Sequence, residues 1–126
     1  MRLHVATKLA VGESSVPGAG RGVFLTADVA EGEVLEECHY VSLDETNFVV
    51  IDKALQDRVF LLPPATNAYV MGFGMIYNTS PEPNVRWEID LTRKTFRFIA
   101  KSDSVEGEEL FLDYRQKPVP VGSPQI

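Results

Sequence analysis

Three short segments of this 126-residue chain hold residue types that could do chemistry. In the first, Gly18-Ala19-Gly20-Arg21-Gly22-Val23-Phe24, three glycines in five residues let the backbone take positive φ and approach a ligand closely, its amides and carbonyls free to bond. The spacing fits neither a dinucleotide fingerprint nor a P-loop, and a glycine-rich hairpin turn is the plain alternative. The second runs from Gly72 to Asn84, where an apolar stretch (Gly-Phe-Gly-Met-Ile-Tyr) ends in Asn78-Thr79-Ser80 and a proline-stiffened loop follows. An asparagine beside buried apolar residues must satisfy both its carbonyl and its amide, so Asn78 either pins a turn or reads a ligand. The third, Glu106-Gly107-Glu108-Glu109-Leu110-Phe111-Leu112-Asp113-Tyr114, is a charged turn followed by an alternating strand. On its own Tyr114 reads as a core aromatic with a bonded hydroxyl, and Glu108 and Glu109 as a solvated turn rather than an acid–base dyad.

The elements that must position these segments are mostly short strands. Runs of β-branched and aromatic residues alternate with turn signals at short intervals. Leu3–Val5 and Gly22–Thr26 read as strands flanking the Pro17–Gly20 loop, and Glu31-Gly32-Glu33 turns into Val34–Cys38. Tyr40–Leu43 and Phe48–Ile51 could pair around Asp44–Asn47. Val85–Ile89 and Phe96–Ile99 alternate apolar and polar residues on either side of Thr92-Arg93-Lys94, the pattern of a hairpin. One short helix is expected over Asp52–Leu62, capped by Asp52, with Ala54, Leu55, Val59 and Leu62 near one face and Pro63-Pro64 as its stop. The spaced prolines from Lys117 onward suit an extended or mobile strap.

Composition narrows the function classes. The length allows one domain with a single core, and 44% hydrophobic with 24% charged residues is an ordinary globular balance. Cys38 is the sole cysteine and His4 and His39 the only histidines, which excludes a disulfide framework and argues against a structural zinc site. A net charge of −6 argues against a nucleic-acid footprint and suits cationic partners such as Lys- and Arg-rich peptides, although solubility alone would also account for it. No apolar run approaches the roughly 20 residues of a membrane span, and the N-terminus is a poor signal peptide, so an intracellular soluble protein is expected.

Taken in order, Gly-x-Gly, then Asn-x-Ser with Pro-Asn close behind, then Gly-Glu-Glu-Leu-x-x-x-Tyr resemble SET-domain protein lysine methyltransferases over about residues 15–115. Gly32-Glu33-Val34-Leu35-Glu36-Glu37 looks like that family's second strand. The Gly-Phe-Gly before the asparagine is shared with the short viral histone-methyltransferase type, which lacks a zinc segment after the SET domain. The resemblance implies a SET fold over 1–116, with several short strands in small sheets, one short helix, a threaded C-terminal segment and a Pro-rich tail over 117–126. It implies S-adenosyl-L-methionine as cofactor, held by Gly20, Arg21, Gly22, Asn78 and Thr79. It also implies Tyr114 at the methyl-transfer centre and a Lys/Arg-rich protein or histone tail as substrate, with Tyr69 and Tyr77 as substrate-binding residues and the segment between Tyr40 and Tyr69 as a wall of the substrate path. No metal is implied, and a homodimer is expected by analogy with the viral type. Thr79 stands where most relatives have histidine, and Arg115-Gln116 where the viral type has a second aromatic.

That family transfers a methyl from sulfur to an amine, which must be neutral to attack. A lysine pKa of about 10.4 leaves on the order of one side chain in a thousand neutral at pH 7. A dry channel and a nearby sulfonium both lower that pKa. Tyr114, with a pKa of about 10, is a poor base and is assigned to orientation instead. A SET module that binds peptide or cofactor without turnover is the alternative.

Overall fold

The computed structural model describes residues 3–44, 57–62 and 66–121, and among these there are nine strands and no helix. They are β1 (Leu9–Glu13), β2 (Arg21–Leu25), β3 (Val34–Asp44), β4 (Phe60–Leu62), β5 (Thr66–Val70), β6 (Asn78–Thr79), β7 (Val85–Asp90), β8 (Thr95–Ala100) and β9 (Glu109–Leu112). Four form a sheet in the order β1-β2-β9-β6 and five a second in the order β4-β5-β3-β8-β7. All pairings are antiparallel except β6 with β9, which run parallel with Asn78 opposite Phe111 and Thr79 opposite Leu112.

The expected hairpin is β7–β8, with Trp87 opposite Phe98 and Ile89 opposite Phe96. Lys94 turns it at φ 56°. Alternation sends Val85, Trp87, Ile89, Phe96 and Phe98 into the core. On the other face Glu37, Arg97 and Glu88 lie in register across three strands, and Arg97 reaches both carboxylates at 3.6 and 3.8 Å. The core is an aromatic cluster centred on Phe60, whose ring lies 4.8–6.0 Å from those of Trp87, Phe96, Phe98 and Tyr114. Such edge-on and tilted pairs add about 0.5–1.5 kcal/mol each beyond their buried area.

Three expectations are corrected. Leu3–Val5 is not a strand; the arm of the glycine hairpin is β1, pairing Leu9 with Leu25 and Glu13 with Arg21. Residues near His4 instead lie beside β3, where Glu37 N donates to His4 O at 2.9 Å. Tyr40–Leu43 belongs to β3 and pairs with β5, while Phe48–Ile51 lies outside the described residues. Of the expected helix, Asp52–Gln56 lies outside the described residues, Asp57-Arg58 is a turn, and Phe60–Leu62 is a strand on β5. Phe60 and Leu62 are buried with Leu61 exposed between them, so the apolar periodicity there is that of a strand, not a helix. The tail is extended as expected up to Val121: Ile89 N donates to Val119 O and Val121 N to Ile89 O, both at 2.8 Å, so this stretch runs parallel to β7.

Candidate active site

The parallel pairing of β6 with β9 brings two of the three segments together, and the β2–β9 pairing, with Phe24 opposite Glu109, brings in the third. Where they meet lies a buried polar knot. The Glu109 carboxylate accepts from Ser14 Oγ at 2.8 and 3.1 Å, from Ser15 N and Oγ at 3.1 Å each, and from Asn78 Nδ2 at 3.0 Å. Asn78 Nδ2 also reaches Arg21 O at 2.9 Å and Ser14 Oγ at 3.1 Å. Burial alone would raise the pKa of Glu109, but the hydrogen bonds from Asn78, Ser14 and Ser15 outweigh it and hold the group below the ordinary carboxylate value. Glu109 is therefore not part of a solvated turn; Glu108 is exposed and Glu109 is buried.

Gly22 is explained by this knot. A Cβ there would collide with Glu109 Oε2 and stand 3.0 Å from Asn78 Nδ2. Gly18 and Gly20 serve the loop instead: both take positive φ, 78° and 77°, and open space lies where their side chains would be. Asn84 is a structural pin. Its carbonyl accepts from Phe111 N at 2.7 Å and its amide donates to Glu109 O at 2.9 Å, continuing the ladder along β9.

Beside the knot a cavity of about 320 Å³ is lined by Val16, Pro17, Gly18, Ala19, Asp57, Arg58, Asn78, Thr79 and Tyr114. Tyr114, 4% exposed, donates its hydroxyl to Tyr77 O at 2.8 Å. Burial pushes its pKa well up while the Arg58 guanidinium pulls against the shift, so the phenol stays protonated and acts as a donor. Arg58 Nη1 donates to the same Tyr77 O at 2.7 Å and to Met75 O at 3.3 Å, and Nη2 donates to Asn78 Oδ1 at 3.1 Å.

The structure thus gathers Asn78, Thr79 and Tyr114 at one cavity with the glycine loop, represented there by Gly18 and Ala19. Gly20, Arg21 and Gly22 are not among its lining residues, although Arg21 O bonds Asn78. Tyr77 is fully buried and reaches the site through its main chain; its hydroxyl donates to Glu36 Oε1 at 3.1 Å. Glu36 is itself 3% exposed, and burial raises its pKa against bonds from Cys38, Tyr77 and the Phe73 main chain. Tyr69 is half-buried on β5 opposite Val41, away from the cavity lining. Sequence reasoning missed Arg58, Ser14 and Ser15. Arg58 was hidden inside the expected helix, and Ser14-Ser15 carried no signal beyond turn chemistry. Among the described residues no group of three or more His, Cys, Asp or Glu side chains could hold a metal ion, and no helix is long and apolar enough to cross a membrane.

Comparison with known proteins places this arrangement. No curated protein matches the sequence. Among solved structures, a Plasmodium falciparum protein titled a histone methyltransferase is similar at 24% identity and a TM-score of 0.72, over 90% of this chain and 97% of that one. The Chaetomium thermophilum polycomb repressive complex 2 is similar at 22% identity and a TM-score of 0.71, over 90% of this chain but only 16% of that one. A polycomb complex in an autoinhibited conformation bound to S-adenosylmethionine is similar at 22% identity and a TM-score of 0.73, over 87% of this chain and 15% of that one. At these identities the likeness is one of fold. The SET-domain sequence profile matches residues 20–115, which take in the first segment from Gly20 onward and the other two whole, and the chain belongs to the SET-domain family.

Proposed function

We propose that this chain is an S-adenosylmethionine-dependent protein lysine methyltransferase acting on a basic protein or histone tail. The observation that carries the reading is Tyr114: a buried hydroxyl at the floor of a cavity rimmed by the glycine loop, fixed at 2.8 Å on a main-chain carbonyl.

The residues present fit the cofactor. The cavity lies at the lower end of the roughly 300–1,000 Å³ range of small-molecule sites. Gly18 presents an open backbone, and Asn78 is held rigid by the knot behind it. Backbone groups of Gly20, Arg21 and Gly22 and the Asn78–Thr79 pair are assigned to the cofactor by family resemblance. When bound, S-adenosylmethionine supplies an electrophilic methyl on a positively charged sulfur.

The protein's part is positioning and drying. The Tyr77 carbonyl anchors the Tyr114 hydroxyl, which orients an approaching amine. The positive charge of Arg58 in the cavity lining, with that of the cofactor's sulfur, disfavours the ammonium and releases a neutral lysine. Tyr114, with its raised pKa, does not remove the proton, which leaves with solvent. The substrate chain is assigned to an extended path past Tyr69, its basic residues attracted by the net charge of −6.

A module that binds without transfer is the rival, favoured by Arg58, whose guanidinium lines the cavity beside Tyr114 and is tied to the Tyr77 carbonyl that also holds the Tyr114 hydroxyl. Incubation with labelled cofactor and a mixture of core histones and ribosomal proteins, followed by mass spectrometry, separates the two. Methylated lysine is expected; cofactor binding with no methyl on any lysine would establish the rival.

A further inference from the structure

Glu36 is a buried acid to which the proposed reaction gives no task. It lies on the core face of β3, opposite Phe98 of β8, and is 3% exposed. A carboxyl that deep must be met by donors, and three converge on it: the Tyr77 hydroxyl at 3.1 Å, the Cys38 thiol and the Phe73 main-chain amide. Phe73 and Tyr77 lie at either end of the stretch that turns from β5 into β6, so one carboxyl ties down both ends of it. Gly72 lets this stretch come close. It takes a φ of 66°, and a Cβ there would stand 3.0 Å from Cys38 Sγ and 3.1 Å from Glu36 Oε2.

Tyr77 carries this grip across to the active site. Its ring is fully buried and packs on Phe98 with centroids 5.2 Å apart. Its hydroxyl ends on Glu36, while its carbonyl accepts the Tyr114 hydroxyl at 2.8 Å and Arg58 Nη1 at 2.7 Å. Glu36 itself is absent from the lining of the cavity. Building on the methyl-transfer reading above, we infer that Glu36 is a positioning residue, acting through the Tyr77 side chain to fix the carbonyl on which the Tyr114 hydroxyl is aimed. Releasing the far end of Tyr77 lets that carbonyl drift, and Tyr114 with it. A displacement of about 1 Å in a group that orients the reactants costs on the order of 100-fold in rate, so a fraction of that drift costs about tenfold. Cofactor affinity, assigned to the glycine loop and the Asn78–Thr79 pair, does not depend on this aim.

The test is a double-mutant cycle on turnover in the full chain, with core histones as methyl acceptor and calorimetric titration of S-adenosylmethionine beside it. Glu36→Gln and Tyr77→Phe should each lower kcat about tenfold and leave cofactor affinity within about twofold. Because they cut the same link, the double variant should be no more than about twofold slower than either single one. Cys38→Ala removes a different donor from the same carboxyl, one that leads nowhere near Tyr114, and should keep kcat within about twofold of the wild type. Circular dichroism melting verifies that each variant folds. If Glu36 is merely a strut of the core, its loss lowers the melting temperature and leaves the kcat of the folded protein unchanged, or weakens cofactor binding along with turnover; either result overturns the inference. Losses that multiply in the double variant overturn it too. Should Glu36→Gln fail to fold, a selective tenfold loss of kcat in Tyr77→Phe supports it and an unchanged kcat there overturns it. Wild-type protein that transfers no methyl removes the methyl-transfer reading and this inference with it, whereas wild-type transfer with both single variants at full speed removes only the inference.

Discussion

Gly22→Ala is a one-carbon change with a large expected cost. The new methyl would collide with Glu109 Oε2 and crowd Asn78 Nδ2 at 3.0 Å. Strand geometry at Gly22 tolerates alanine, so the whole penalty comes from what the methyl displaces. The carboxylate can retreat, but it holds five hydrogen-bond contacts, from Ser14, Ser15 and Asn78. Overpacking costs about 1–3 kcal/mol and each hydrogen bond to a charged group contributes about 1.5–3 kcal/mol. With relaxation that keeps most contacts, a loss of about 3 kcal/mol is expected. Trp87, the sole tryptophan and 1% exposed, reports global unfolding by its fluorescence in urea. A double-mutant cycle isolates the cause. In a Glu109→Ala background the nearer obstacle is gone and Asn78 is free to give way, so the same Gly22→Ala change should cost less than about 1 kcal/mol. Two results would refute the reasoning: a cost below about 0.5 kcal/mol in the wild-type background, or an undiminished cost in the Glu109→Ala background. In either case the penalty would have nothing to do with the carboxylate.

Tyr114→Phe should lower turnover by on the order of 100-fold or more while reducing stability by only about 1 kcal/mol, because Tyr77 O retains Arg58 as a donor; initial-rate measurements beside urea melts check both halves. Asn84→Ala strips an acceptor from Phe111 N and a donor from Glu109 O, so a loss of about 2 kcal/mol and faster amide exchange at Phe111 are expected. Glu109 and Glu36 should respond to pH with opposite signs. Glu109, depressed on folding, stabilises fully above its ordinary value of 4.5 and loses that contribution as pH falls through its folded value. Glu36, raised on folding, contributes fully below 4.5 and loses that contribution as pH rises through its folded value. Urea midpoints across acid to neutral pH should therefore show Glu109→Gln flattening the acid limb and Glu36→Gln gaining on the wild type as pH rises.

Period-2 alternation made β2, β7, β8 and β9 legible, because each packs one face on the core and writes that face into every second residue. β1 was not legible: Leu9-Ala10-Val11-Gly12-Glu13 is a weakly apolar edge strand whose existence depends on pairing with β2. Phe60–Leu62 misled because three apolar residues fit a helix face as well as a strand until β5 supplies the partner. The candidate site was legible as a set of segments, since Asn78 and Tyr114 do share a cavity. Its internal wiring was not. Nothing local says that Glu109 is buried while Glu108 is exposed, for that follows from which face of β9 meets Gly22. Arg58 was invisible for the same reason: its role is defined by carbonyls 17 and 19 residues away.

The bond from Ser14 to Glu109 spans 95 residues of chain, and the strand that carries Glu109 is the ninth of nine among the described residues. During synthesis the glycine loop and Asn78 must wait for β9 before either meets Glu109. Contacts of such long separation close slowly. Until β9 docks, the glycine loop and Asn78 have no Glu109 to hold them, so the cavity they line with Tyr114 forms as one late event rather than growing by degrees.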